Sequence, residues 1–61
     1  MKIKITIETS NRAFEEQVRA EAARILRDLA ESLDSGEYLD SETKLPAIDN
    51  NGNIVGYLTV E

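Results

Sequence analysis

Thr43-Lys44-Leu45-Pro46-Ala47-Ile48, Asp49-Asn50-Asn51-Gly52-Asn53 and Ile54-Val55-Gly56-Tyr57-Leu58-Thr59-Val60 follow one another without a break, and together they decide the fold. Two β-prone runs flank a turn, and its Asn51-Gly52 pair is the strongest short-range signal for a hairpin. A two-residue loop on Asn51-Gly52 competes with a three-residue loop that ends with Gly52 in a left-handed bulge. The second pairs Ile48 with Ile54 and is preferred. It puts Ile48, Ile54, Leu58 and Val60 on the core face and Leu45, Ala47, Val55 and Tyr57 on the outer face. Pro46 then orders the sheet. Proline has no N–H to give to a ladder and belongs on an edge, so the strand of Pro46 is an edge and the strand of Tyr57 is central.

Upstream of the hairpin, apolar residues recur in steps of three and four as Phe14, Val18, Ala22, Ile25, Leu26, Leu29, Ala30 and Leu33. One amphipathic helix of about six turns is expected from Arg12 to Ser35. Asn11 is the favoured N-cap, Gly36 a left-handed stop, and Glu15/Arg19 an i,i+4 pair. Arg19, Glu21, Arg24, Arg27, Asp28 and Glu31 fall on the opposite, solvated side. Further back, Lys2-Ile3-Lys4-Ile5-Thr6-Ile7-Glu8 alternates strictly, as a half-buried strand does. The expectation is a single α+β domain over residues 1–61, β-α-β-β. Strands at 2–8, 43–48 and 54–60 form an antiparallel sheet of order 1-3-2, and the helix 12–35 packs on one face.

Composition narrows function by exclusion. The chain has 61 residues with seven Lys and Arg, twelve Asp and Glu, and no His, Cys or Trp, a net charge of −5. Without Cys or His there are no disulfides, no thiol nucleophile and almost no route to a zinc site. At this length a single core supplies only ~3–5 kcal/mol of net stability, which leaves assembly as the available staple. An acidic chain opposes phosphate contacts, so direct nucleic-acid binding is not expected. No apolar run suits a membrane span or a signal peptide, and a cytoplasmic location is expected. No catalytic residue, cofactor or metal site is assigned. The missing His removes the usual proton shuttle, Ser10, Ser32, Ser35 and Ser41 lack a recognisable base, and one helix on three strands offers too little volume for a pocket of ~300 Å³ beside Glu15 and Glu16. Asp49, Asn51 and Asn53 look like the start of a calcium loop, but Ile54 and Val60 stand where an EF-hand needs Gly and Glu.

Three surfaces remain as candidates for binding. Asp28, Glu31, Asp34, Glu37, Asp40 and Glu42 crowd the helix C-terminus and the connector, where carboxylates oppose the macrodipole. They form either an acidic ridge for a basic partner, including mimicry of nucleic acid, or a solvated face. Leu45, Val55 and Tyr57, with Ala47, make an apolar outer patch, beside which Gly56 lets another chain approach; Tyr38 or Leu39 could instead fold over it or over the end of the core. The first strand is an uncovered edge. Two copies paired antiparallel about Ile5 set Lys2 opposite Glu8 of the partner, so a homodimer is expected there, although lysines also serve to discourage edge pairing.

Ile5 to Glu15, Ala23 to Leu33 and Asp49 to Gly56 resemble short proteins of bacteriophages and prophages, above all in Ala13-Phe14-Glu15 at the helix start and in the Asn51-Gly52-Asn53-Ile54-Val55-Gly56 hairpin. Many relatives of that kind carry Pro just after the Ala-Phe-Glu segment; Gln17 and Val18 here imply a more continuous helix. The resemblance implies a small accessory protein that binds and inhibits a host protein, defence complexes included. It carries no activity over to any residue. A non-catalytic protein-binding module is therefore the expected function, with a structural homodimer or a nucleic-acid mimic as the alternatives.

Overall fold

A computed structural model describes residues 1–61. The chain runs β1 (Ile3–Ile7), a 3-10 turn (Arg12–Phe14), α1 (Val18–Ser35), β2 (Lys44–Ile48) and β3 (Ile54–Val60). The three strands form one antiparallel sheet in the order β1-β3-β2, as the edge position of Pro46 requires. Lys2 and Glu61 exchange both main-chain hydrogen bonds, and the Glu8 N–H donates to the Val55 carbonyl. By alternation Lys2, Lys4, Thr6 and Glu8 turn their main-chain groups toward β3, and Ile3, Ile5 and Ile7 turn theirs to the open edge.

The loop has the predicted length. Asp49 N–H donates to the Asn53 carbonyl, three residues lie between, and Gly52 takes φ +84°, a left-handed value that Gly adopts without a Cβ penalty. Ile48 faces Ile54 as expected, but the inner and outer faces are reversed there. Ala47 pairs with Gly56 while Ile48 pairs with Ile54, so β3 carries one extra residue, a β-bulge at Val55. One added residue inverts the parity of a strand. Ala47 and Val55 consequently lie in the core and Leu45 packs against it, whereas Ile48 and Ile54 face solvent. Of the expected outer patch only Tyr57 stays outside.

The helix is shorter than the apolar spacing predicts. Residues 12–14 form a separate turn, Gln17 adopts φ −137° and ψ 56°, and α1 begins at Val18. A straight 12–35 helix of about 36 Å would overrun a sheet whose longest strand reaches about 23 Å, and would carry Phe14 beyond it. The break folds Phe14 back to complete burial among Ile25, Leu29, Ala47, Val55, Leu58 and Val60. Asn11 caps the 3-10 turn, its Oδ1 accepting from the Ala13 N–H. Glu15 lies outside α1 and makes no ion pair with Arg19; the salt bridges of the chain are Arg24 with Glu21 and Arg24 with Asp28. Gly36 ends α1 in an extended conformation (φ −82°, ψ 160°), not a left-handed one, and its N–H donates to Leu33. Leu39 packs against the core while Tyr38 is 82% exposed.

Ile3 and Ile5 occupy the inner face opposite Val60 and Leu58, yet they are 45% and 44% exposed. The contacts of α1 with the sheet concentrate on β2, so the inner side of β1 is left half-bare.

Candidate functional site

The most constrained chemistry lies where α1 meets the hairpin. Glu21 falls on the apolar stripe one turn before Ile25 and is buried, not solvated as its charge suggests. Its carboxylate accepts from Arg24 Nε at 2.9 Å and Nη2 at 3.0 Å and from the Asn50 N–H at 2.8 Å. Arg24 also donates to Asp28 and to the Ile48 carbonyl. Asp49, buried at the first position of the turn, accepts from the N–H groups of Asn51 and Asn53 through Oδ1 and from the Asn11 amide through Oδ2. The oxygens of the supposed calcium loop are thus spent inside the protein. Arg24's hydrogen bond and the Asn50 N–H hold Glu21 below its ordinary carboxylate value against burial, which raises it. For Asp49, burial raises the value and is outweighed by the donors from Asn53, Asn11 and Asn51. Glu21 in turn raises Arg24. No buried polar side-chain atom lacks a partner, and the cluster reads as a latch between helix, hairpin and the Asn11 turn.

The acidic positions do not form one ridge. Asp28 is paired with Arg24 at 2.7 Å, and Asp40 closes the connector turn by accepting from the Glu42 N–H while its own N–H donates to Thr43 Oγ1. Glu31, Asp34, Glu37 and Glu42 remain without side-chain partners, on either side of Gly36. An open groove of about 340 Å³ lies here, lined by Leu33, Leu39, Leu45 and Tyr38 with Glu37 at its rim. It is open to solvent and lies at the connector, with neither Glu15 nor Glu16 in its lining.

The outer face of the sheet gathers a different set. Tyr57 stands at its centre, 37% exposed, between Thr6 of β1 and Pro46 of β2. Ile48 and Ile54, 43% and 56% exposed, continue the apolar surface toward the hairpin. Thr59, two residues on, lies between Lys4 and Lys44, and Lys44 Nζ sits 4.2 Å from the Tyr57 ring centroid, in cation–π contact. All three lysines of the chain, Lys2, Lys4 and Lys44, are therefore on this face, and alternation adds only Glu8 and Glu61. The remaining ten carboxylates lie on the helix side and in the loops.

Sequence reasoning found Tyr57 but assigned Leu45 and Val55 to this face, where Ile48, Ile54 and Lys44 stand instead. The concentration of lysine in the strands was the available signal. Gly56 does admit a close neighbour, but that neighbour is β1 of the same chain: a Cβ on Gly56 would lie 1.7 Å from the Thr6 carbonyl oxygen. Ile5 lies in β1, at the free edge of the sheet, and Lys2 and Glu8 flank that strand on either side. No helix is long and apolar enough to cross a membrane. No protein-family model, no curated protein and no solved structure matches the chain.

Proposed function

We propose that this protein is a non-catalytic binding module that docks a bacterial host protein through its outer sheet face. The observation that carries the reading is the coincidence on one face of exposed Tyr57, Ile48 and Ile54 with every lysine of an otherwise acidic chain. Interfaces favour an aromatic anchor inside a charged rim, and the rim sets the sign of the partner. Here the partner presents an apolar pocket bordered by carboxylates. The resemblance of the helix start and the hairpin to short phage and prophage proteins supports a host protein, such as a defence complex, as the target, with inhibition or modulation as the result. Nucleic-acid mimicry loses support from the pairing of Asp28 with Arg24 and the use of Asp40 within its own turn.

The test is capture from a bacterial lysate with the wild type and two surface variants. Tyr57→Ala/Lys44→Glu loses the captured protein, whereas Glu31→Lys/Asp34→Lys/Glu37→Lys retains it. The opposite pattern, or no specific partner with any of the proteins, overturns the reading.

A further inference from the structure

The sheet has two edges, and the chain treats them differently. On β2 the outward position 46 is a proline, which removes the donor, and Arg24 donates to the outward carbonyl of Ile48. That edge is closed by the devices natural sheets use against pairing. β1 has neither the proline nor the capped carbonyl; the one such device it carries is lysine, at Lys4 and the flanking Lys2, which share the outer face with Glu8. It contains no proline and no bulge, and neither helix nor loop donates to or accepts from the outward main-chain groups of Ile3, Ile5 and Ile7. Its inner side chains Ile3 and Ile5 are also half-exposed, so both the hydrogen-bonding and the apolar capacity of the strand are unused.

We infer that β1 pairs with β1 of a second copy, antiparallel about a twofold axis through Ile5, to give a continuous six-stranded sheet. Main-chain geometry, charge and strand length select this register together, since a register about Thr6 also sets Lys4 opposite Glu8 but puts Ile3 and Lys2 opposite Thr9 and Ser10, outside β1. Only odd-numbered residues offer outward N–H and C=O groups, so the hydrogen-bonded pairs are Ile5 with Ile5 and Ile3 with Ile7 of the other copy. The intervening pairs then set Lys2 opposite Glu8 and Lys4 opposite Thr6, each twice by symmetry. A register about Lys4 would place Lys4 against its own copy and leave Glu8 unpaired. The isoleucines of both strands meet on the inner face and cover one another at the seam. On the outer face Tyr57, Thr6, and then Lys4 and Thr59 of the other copy lie in one row, so the outer faces of the two copies join into one continuous surface. The dimer stands whether or not the outer face has a host partner. With a seam of about seven residues a side it is below the usual interface size, so the dimer is expected to be weak and concentration-dependent.

Sedimentation equilibrium at about 100 µM and above decides it, with far-UV circular dichroism to confirm folding. The average mass of the wild type exceeds the 6.8 kDa chain mass and climbs toward twice that value as concentration rises. Lys2→Glu and Glu8→Lys each weaken the dimer by about tenfold or more, because each sets like charges opposite one another twice. An equimolar mixture of these two variants recovers a heterodimer, and the double variant recovers a homodimer. Ile5→Pro, which removes an outward N–H and no bond to β3, stays folded and monomeric. A wild type that sediments only at 6.8 kDa at these concentrations overturns the inference and leaves the edge to a strand from another protein. A dimer that survives Ile5→Pro, or charge variants that do not complement on mixing, overturns it as well.

Discussion

Carboxylates at the two ends of this molecule live under opposite rules. At the hairpin end Glu21 and Asp49 are buried, and each oxygen accepts at least one hydrogen bond. At the connector end Glu31, Asp34, Glu37 and Glu42 touch no donor of their own chain. The difference is one of supply. The turn at Asn50 to Asn53 points N–H groups inward, where a carboxylate can collect them, whereas the C-terminus of α1 points carbonyls at the acids beside it and has no basic residue in its last turn. The hairpin end is therefore where the fold is specified, and the connector end is tolerated.

Gly56→Ala breaks this contrast most severely, because it strikes the strand pairing on which the hairpin end rests. A methyl group 1.7 Å from the Thr6 carbonyl oxygen and 2.7 Å from its carbon cannot be accommodated by a rotamer change; β1 and β3 must separate. Backbone overlap of this kind costs about 3 kcal/mol or more, close to the whole stability of a domain this size. The variant is expected to be unfolded or nearly so at 25 °C by circular dichroism. If it melts within a few degrees of the wild type, the two strands are farther apart than described.

Asp49→Asn comes next. It removes one acceptor from a buried turn and turns an amide N–H₂ toward the Asn11 or Asn53 amide, so the thermal midpoint at pH 7 should fall by on the order of 10 °C. The wild type carries the acid counterpart. Both native carboxyls lie below their ordinary values of 4.5 for Glu21 and 3.8 for Asp49, so their contribution is complete above those values and is lost as pH falls through the lowered native ones. Midpoints measured from pH 7 to strong acid should stay level to about pH 4.5 and then decline. Glu21→Gln/Asp49→Asn should start lower and decline less. An equal decline in both proteins would place the acid sensitivity elsewhere.

How much of this was legible in the sequence follows the same division. The alternation of Ile3, Ile5 and Ile7, the turn chemistry of Asn51-Gly52 and the missing donor of Pro46 are local facts, and they yield the strands, the loop length and the 1-3-2 order. The bulge at Val55 is not local. It arises because the three-residue loop and the packing of Ala47, Val55 and Leu58 under α1 ask for opposite parities, and one extra residue in β3 reconciles them. That single residue moved Leu45 and Val55 inside and Ile48 and Ile54 outside. The latch was half visible: Glu21 stands on the same stripe as Ile25 and Leu29, a position where a carboxylate needs buried donors, and Arg24 three residues on supplies two of them, but the third comes from Asn50, 29 residues away. The helix break before Val18 was hidden because the Phe14 spacing fits a continuous helix equally well, and only the length of the sheet decides against it.

The smallest effect sharpens the comparison from the tolerated side. Asp34 lies in the last turn of α1, exposed and without a donor, where the unsatisfied carbonyls give the helix its negative end. Asp34→Arg replaces repulsion by attraction and removes one of the acids that crowd Gly36. A gain of about 0.5 kcal/mol is expected at low ionic strength, fading as salt screens the dipole. Urea titrations at about 0.01 M and at 1 M salt measure both parts, since the Debye length shrinks from about 30 Å to about 3 Å between them. A loss of stability would mean that Asp34 holds a structural contact after all, and that the connector end is specified in the way the hairpin end is. A gain leaves the acids of this end serving something other than the fold, at a position where the chain alone favours a basic residue.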